Sequence, residues 1–388
     1  MTSFEWVSMA EIISSLESGS RPRGGASDTS GDIPSLGGEH LTSDGGFDFS
    51  KPKLIPRKYF ASMKSGHIRP LDILIVKDGA TTGKISLVRS DFPFAEAAVN
   101  EHVFRFDLDQ TRADARYVFR YLHSAEGQRA ILADFRGSTV GGIGRTWAQG
   151  ARIPLPPLPE QRRIADILDR ADDLRAQRRR ALMFLGELAE SALTRISDTS
   201  SKVVALGDVS TIDAKLVDPR EDSYASYPLV APDNIESNTG RIQNVRTTAE
   251  VAPISGKYLF TESDVLYSKI RPALNKVALP DFAGLCSADM YPISIDAGEI
   301  NREFLWATLR SAAFLAYAQR LGNRAQMPKL NRAQLFGYEF KLPTLESQRA
   351  YVSELQMVQK LDHRERAHLG KLDELFASLQ HRAFQGEL

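Results

Sequence analysis

The chain has 388 residues, room for two or three domains, and its 42% hydrophobic and 25% charged residues are the balance of an ordinary globular protein. No run reaches the ~18 apolar residues of a membrane span, and the opening segment, with Glu5 and Glu11, lacks the basic-then-apolar order of a signal peptide. A single cysteine, Cys286, excludes a disulfide framework or cysteine-rich zinc site within one chain, so a cytoplasmic protein with no membrane association is expected.

Lys plus Arg and Asp plus Glu both number 49, giving zero formal charge. A protein that binds DNA unaided usually carries a basic excess. Contact with nucleic acid would therefore need local basic loops, or partners that grip the backbone.

In chain order, the elements occur twice. Trp6–Ile12 resembles Val203–Val209, and IPSLGGEHL (Ile33–Leu41) resembles YPLVAPDNI (Tyr227–Ile235). DILIVKDGATTGKISL (Asp72–Leu87) pairs with DVLYSKIRPALNKVAL (Asp264–Leu279). YVFRYLHS (Tyr117–Ser124) pairs with FLWATLRS (Phe304–Ser311), and LPPLPEQR (Leu155–Arg162) with LPTLESQR (Leu342–Arg349). Short β-branched runs predict strands at Ile73–Val76 and Ile85–Val88, matched by Val265–Tyr267 and Val277–Leu279. Helical periodicity covers Tyr117–Arg129 and Phe304–Arg320. Ser18–Gly25 and Ser43–Pro56 read as loops.

Each half closes on a long helix. Leu158-Pro159-Glu160 opens the first, with Pro at an early position and an acid at the positive end. No proline follows up to Ile196, about 55 Å of helix at 1.5 Å per residue. The second runs from Leu345 to about Ala383. Both carry an apolar seam in alternating steps of four and three: Ile164, Leu168, Ala171, Arg175, Arg178, Leu182 onward to Ile196, and Tyr351, Leu355, Val358, Asp362, Glu365, Leu369 onward to Ala383. Paired antiparallel about a pseudo-two-fold axis, Arg175 and Arg178 would meet Asp362 and Glu365 and fix the register. The alternative leaves all four on solvated faces.

The fold class is therefore mixed α/β (α+β): two globular domains, residues 1–155 and 201–343, joined by two long antiparallel coiled-coil helices, 156–200 and 344–388, as an internal two-fold repeat.

Gly79-Ala80-Thr81-Thr82-Gly83-Lys84 is not a phosphate-binding loop. Three residues rather than four separate its glycines, and Ile85 follows the lysine. The repeat has Arg271 and Asn275 where the glycines stand, so a tight strand–turn–strand connection is expected. The repeat does keep Lys77 with Lys269 and Lys84 with Lys276. These lysines either hold phosphates, beside Thr81 and Thr82, or are ordinary surface residues. Before each long helix comes a polar segment. The first holds Ser138, Thr139 and Arg145, and the second Asn323, Arg324, Gln326 and Lys329. Such side chains suit base edges, Arg for guanine and Asn or Gln for adenine. The other reading is of plain surface loops.

Catalytic constellations are missing from the sequence: no HExxH, no G-x-S-x-G, no Asn/Asp-Pro-Pro-aromatic motif and no cofactor glycine motif. His40, His67 and His102 read as structural.

IPLPPLPEQRRIADILDRADDL (Ile153–Leu174), LGELAESAL (Leu185–Leu193) and LDELFASLQHRAFQGEL (Leu372–Leu388) closely resemble the two central regions of type I restriction–modification specificity subunits. The likeness covers the whole two-repeat plan, strongest in the helices and weakest in the globular domains. It implies that each globular domain is a target-recognition domain reading half of a bipartite, gapped DNA site, with the helices as the ruler between halves. Two methyltransferase subunits would dock on the helices and methylate adenine N6 with S-adenosylmethionine. Motor/nuclease restriction subunits using ATP and Mg would complete the assembly, and this chain would be a non-catalytic subunit binding no cofactor itself. Leu345-Glu346-Ser347-Gln348 departs from the family's Leu-Pro-x-Gln, which puts the start of the second helix in question. The readings set against this one are a structural or regulatory adaptor that binds no DNA, and the specificity subunit of a methylation-only defence system.

Overall fold

The computed structural model describes residues 4–27, 31–137, 141–322 and 328–388. Two compact units emerge: Met1–Arg178 with His368–Leu388, and Arg179–Ala367.

In the first unit the strands are β1 (Trp6–Ser8), β2 (Ile13–Ser18), β3 (Ile33–Leu36), β4 (Leu54–Ile55), β5 (Ile73–Val76), β6 (Ile85–Leu87), β7 (Ala98–Val99), β8 (Val103–Leu108) and β9 (Arg152–Pro154). They form a four-stranded sheet ordered β2-β8-β5-β6, a three-stranded sheet ordered β4-β3-β7, and a β1-β9 pair. Successive residues of a strand face opposite ways, so the unbroken apolar run of β5 serves two cores. Ile73 and Ile75 join Phe104, Phe106 and Tyr117, while Leu74 and Val76 join Leu36, Leu41 and Val103. The helices are α1 (Arg57–Ser62), α2 (Ala115–Leu122), α3 (Ala125–Leu132), α4 (Trp147–Gly150) and α5 (Leu158–Ser197).

The second unit follows the same order. Its strands are β10 (Val203–Ala205), β11 (Ser210–Thr211), β12 (Leu216–Val217), β13 (Pro228–Val230), β14 (Arg246–Thr247), β15 (Lys257–Phe260), β16 (Val265–Ser268), β17 (Val277–Ala278), β18 (Gly284–Cys286), β19 (Met290–Ile295) and β20 (Glu339–Lys341). Sheet β11-β19-β16-β17 repeats β2-β8-β5-β6, and pair β10-β20 repeats β1-β9. The parallel β13/β18 contact repeats β3/β7. The helices are α6 (Leu206–Val209), α7 (Thr248–Val251), α8 (Arg302–Thr308), α9 (Ala312–Gly322), α10 (Arg332–Phe336) and α11 (Leu345–Gln385). No helix among the described residues is long and apolar enough to cross a membrane.

Three expectations change. The single helix expected from Tyr117 is α2 and α3, and the one from Phe304 is α8 and α9. In each case a serine at the corner accepts from the backbone of the next helix, Ser124 Oγ from Gly127 N and Ser311 Oγ from Phe314 N, both at 3.2 Å. A hydroxyl cap starts a new helix without breaking the apolar pattern. The expected loop Ser43–Pro56 contains β4, paired to β3.

The third change concerns the helix seam. None of its positions is exposed, and Arg175 finds carboxylates other than the expected Asp362. Within the first unit, Arg175 donates from Nε to Asp373 Oδ1 and from Nη1 to Asp172 Oδ1, both at 2.7 Å. Its guanidinium lies 4.3 Å from the centre of the Phe376 ring. The register in this unit thus brings Arg175 to Asp373, not Asp362. Asp362 accepts from Arg366, one turn along its own helix, at 2.6 Å, and Glu365 lies 3.7 Å from Arg364. Arg178 closes the first unit's share of α5. In the second unit Arg195 meets Glu354 at 2.7 Å, so α5 and α11 run antiparallel within each unit.

Candidate nucleic-acid interface

The β5–β6 connection is a short turn whose backbone is left-handed at Gly79 (φ 91°) and Gly83 (φ 88°). Residues 141–143, from the polar segment before α5, are laid against it through an isolated bridge between Asp78 and Gly142. Ile143 N donates to Lys77 O at 2.7 Å, and Gly79 N to Gly141 O at 3.1 Å. Arg136 and Gly142 exchange two 2.9 Å backbone bonds. Asp134 clamps the stem, accepting from Gly144 N and Thr146 Oγ1, both at 3.1 Å. Lys77 Nζ sits 5.4 Å from the centre of the Phe104 ring, a cation–π contact. Beside it His102 Nδ1 lies 2.5 Å from Asp78 Oδ1, and Arg21 donates to Glu101 at 2.7 Å and lies 3.0 Å from His102 Nε2. Burial pushes the Glu101 carboxyl up, but the Arg21 hydrogen bond, a backbone hydrogen bond and the Arg21 charge together hold it below its ordinary range.

The second unit builds the same arrangement with different residues. The β16–β17 connection is left-handed at Arg271 (φ 47°) and Asn275 (φ 49°). Arg271 N donates to Pro328 O at 2.9 Å and Leu330 N to Lys269 O at 2.8 Å. Lys269 Nζ also sits 5.4 Å from the centre of a ring, that of Tyr291, and donates one of its three hydrogens to Ala288 O. The glycines of the first turn therefore answer a backbone requirement, which the second turn meets with a tolerant Asn and a strained Arg at a cost of order 1–3 kcal/mol. This is the physical reason the motif is no phosphate cradle.

A family model described as the type I restriction modification DNA specificity domain matches residues 1–182 and again 199–370. The chain belongs to this DNA-specificity family. One relative is the type I restriction enzyme EcoDI specificity subunit of Escherichia coli, 32% identical over 46% of this chain, though the match spans only 40% of that protein. Another is the MjaVIII specificity subunit of Methanocaldococcus jannaschii, 21% identical over 75% of this chain and 72% of that one. The fold is shared with the type I specificity subunit of M. genitalium (TM-score 0.58, 12% identity, 99% and 97% of the two chains). It is also shared with a chain of a type I restriction–modification system solved to explain complex assembly and conformational transition (TM-score 0.53, 18% identity, 100% and 99%).

In this specificity chain the structure joins two motifs that the sequence left apart, the lysine-flanked turn and the polar segment, and does so in both units. Arg145 and Arg271 are exposed, Thr81 is exposed at the turn, and Lys84 is half-buried. Other candidates are spent internally. Thr82 Oγ1 donates to Gly79 O at 2.7 Å, Asn275 Nδ2 to Arg310 O at 3.2 Å, and Lys276 Nζ to Pro232 O at 2.6 Å. Lys329 Nζ lies 3.6 Å from Asp289. Ser138, Thr139, Asn323, Arg324 and Gln326 lie outside the described residues. The Arg21–Glu101–His102–Asp78 cluster was missed: its members stand up to 81 positions apart, and no local pattern connects them.

Proposed function

We propose that this chain reads DNA sequence for a type I restriction–modification assembly, each unit presenting its turn-and-loop pair to one half of a gapped site. The observation that carries this is the same construction made twice from different residues. Common backbone, a common Lys-over-ring contact and divergent loop side chains are what two readers of unlike half-sites require. Lys77 and Lys269 act on phosphates; Arg145 and Arg271, with the polar loop residues, address base edges. The long helices set the gap and carry two methyltransferase subunits, and motor/nuclease subunits complete the nuclease. Methylation and cleavage, with S-adenosylmethionine, ATP and Mg, belong to those partners, in the cytoplasm.

The test is methylome sequencing of cells expressing the chain with its modification subunit. A two-part, gapped motif with N6-methyladenine in both halves, lost on deletion of this chain, is expected. Absence of such methylation from a complex shown to assemble would favour an adaptor instead.

A further inference from the structure

Two glutamines stand at equivalent places in the repeat, one turn into α5 and α11, and both are wholly buried. Gln161 Oε1 accepts from Asp114 N at 2.8 Å, and its Nε2 donates to Arg112 O at 2.9 Å and Pro156 O at 2.7 Å. Gln348 does the same with Asn301 N at 2.7 Å, Glu299 O at 3.1 Å and Pro343 O at 2.9 Å. One amide thus ties three segments: the strand leading into the long helix, the loop before α2 or α8, and that helix's N-cap. Asp114 and Asn301 are those caps, each accepting from two backbone N–H groups with its own side chain. Their own N–H groups are satisfied by the glutamine.

We infer that Gln161 and Gln348 are positioning residues that fix the angle between each recognition fold and the long helix it carries, and so help define the gap length the chain accepts. The inference rests on the reading of a gapped site given above. A 40-residue helix is about 60 Å long at 1.5 Å per residue, so a tilt of about 3° at its root moves the far end by about 3 Å, close to the ~3.4 Å rise of one base-pair step. A flexible side chain could not hold such an angle. A buried amide with all three bonds made to backbone can, because each alternative geometry leaves polar atoms of that buried amide unpaired.

The two joints are not equally supported. In the first unit, Arg120 also bonds Asp169 and Asp172 of α5. The equivalent positions in the second unit are Ala307, Gln356 and Gln359, which form no such ion pairs. Gln348 therefore carries more of the angular constraint than Gln161.

The experiment uses the full chain assembled with its modification subunits, and the duplex defined by the wild-type methylome. Gln161→Met and Gln348→Met keep side-chain length and remove the hydrogen bonds; Gln161→Glu and Gln348→Glu keep the acceptor and serve where a Met variant fails to fold. Competition binding compares the site with duplexes whose gap is one base pair longer or shorter, and with a duplex carrying one half-site. Single half-site affinity should stay within about twofold of wild type. Preference for the cognate gap should fall about tenfold in the Gln348 variant and less in the Gln161 variant. A merely structural role would lower melting temperature and all affinities together and leave the gap ratio unchanged; that result, in folded variants, overturns the inference. A wild-type complex with no gap preference would overturn the gapped-site reading itself, and is told apart because it appears before any substitution is made.

Discussion

Replacing Asp169 by Asn removes a charge that several arginines share where α2 of the first unit meets α5. Arg120 is 2% exposed and donates to Asp169 Oδ1 at 2.8 and 2.6 Å, with a third bond to Asp172 at 2.7 Å. Arg89 reaches the same carboxylate at 3.2 Å. Two charges about 4 Å apart attract by about 4 kcal/mol at an effective dielectric of about 20. Asp172 retains part of this, so D169N should cost about 2–4 kcal/mol, the low side of what orphaning a buried charge costs.

The same carboxyl makes the joint acid-labile. Burial pushes its pKa up, but the Arg89 hydrogen bond and the Arg120 charge hold it below the usual aspartate range. A folded value below the unfolded one gives stabilisation that is complete above the unfolded pKa of about 4 and is lost as pH falls through the folded value. Denaturant unfolding and hydrogen exchange of α2 and the first turns of α5 would measure the loss. Adding Arg120→Met to D169N should recover stability by removing the orphaned charge. A D169N protein within 0.5 kcal/mol of wild type, or a double variant no better than the single one, would refute the argument.

Three further outcomes are expected. Lys77→Ala and Lys269→Ala should each weaken DNA binding about equally across sequences and reduce the slope of log affinity against log salt by about one, while Lys→Arg at either position restores both, measured by titration at several salt concentrations. Arg145→Ala should relax base preference in one half of the methylated motif and Arg271→Ala in the other, each by about 1–3 kcal/mol on competition with altered duplexes; relaxation of the same half by both would contradict the assignment of one unit per half. Without its partners the chain should bind with a slope near −4, for about four neutralised phosphates, and so lose on the order of 10²-fold between 50 and 200 mM salt. The modification complex should bind more tightly and with a steeper slope, and equal slopes would argue that this chain alone makes the phosphate contacts.

Much of this fold is legible because it is written twice. The repeat located β5–β6 and β16–β17, the helix starts and the seam, since periodicity and equivalent strings reinforce one another. Leu345 starts α11 where Leu158 starts α5, despite the missing proline; there Thr344 Oγ1 accepts from Ser347 N at 3.3 Å and supplies a cap that Pro159 makes less necessary. The seam charges were harder to place, because heptad spacing says which residues face the partner but not which partner residue they meet. The corners at Ser124 and Ser311 were hidden because the apolar stripe runs through them. At the candidate interface, sequence singled out the turn and the loop separately. Only tertiary pairing reveals that Lys77 O accepts from Ile143 N and Lys269 O from Leu330 N, and that Lys276 Nζ and Asn275 Nδ2 already donate to backbone carbonyls.

The zero net charge is then less puzzling than it looks from composition. Arginines are consumed inside the fold: Arg105 by Asp72, Arg120 by Asp169 and Asp172, Arg175 by Asp172 and Asp373. Each such pair adds a basic and an acidic residue to the count and contributes nothing to the field outside. Lys77, Lys84, Lys269, Arg145 and Arg271 instead have no carboxylate within ion-pair distance among the described residues. Net charge sums these two populations, yet only the second can release counterions from DNA. A neutral chain can therefore present unpaired basic side chains at these turns and loops. What neutrality removes is the long-range attraction of a basic protein for any DNA, so under the function proposed above sequence discrimination would sit at these loops and much of the total affinity with the partner subunits.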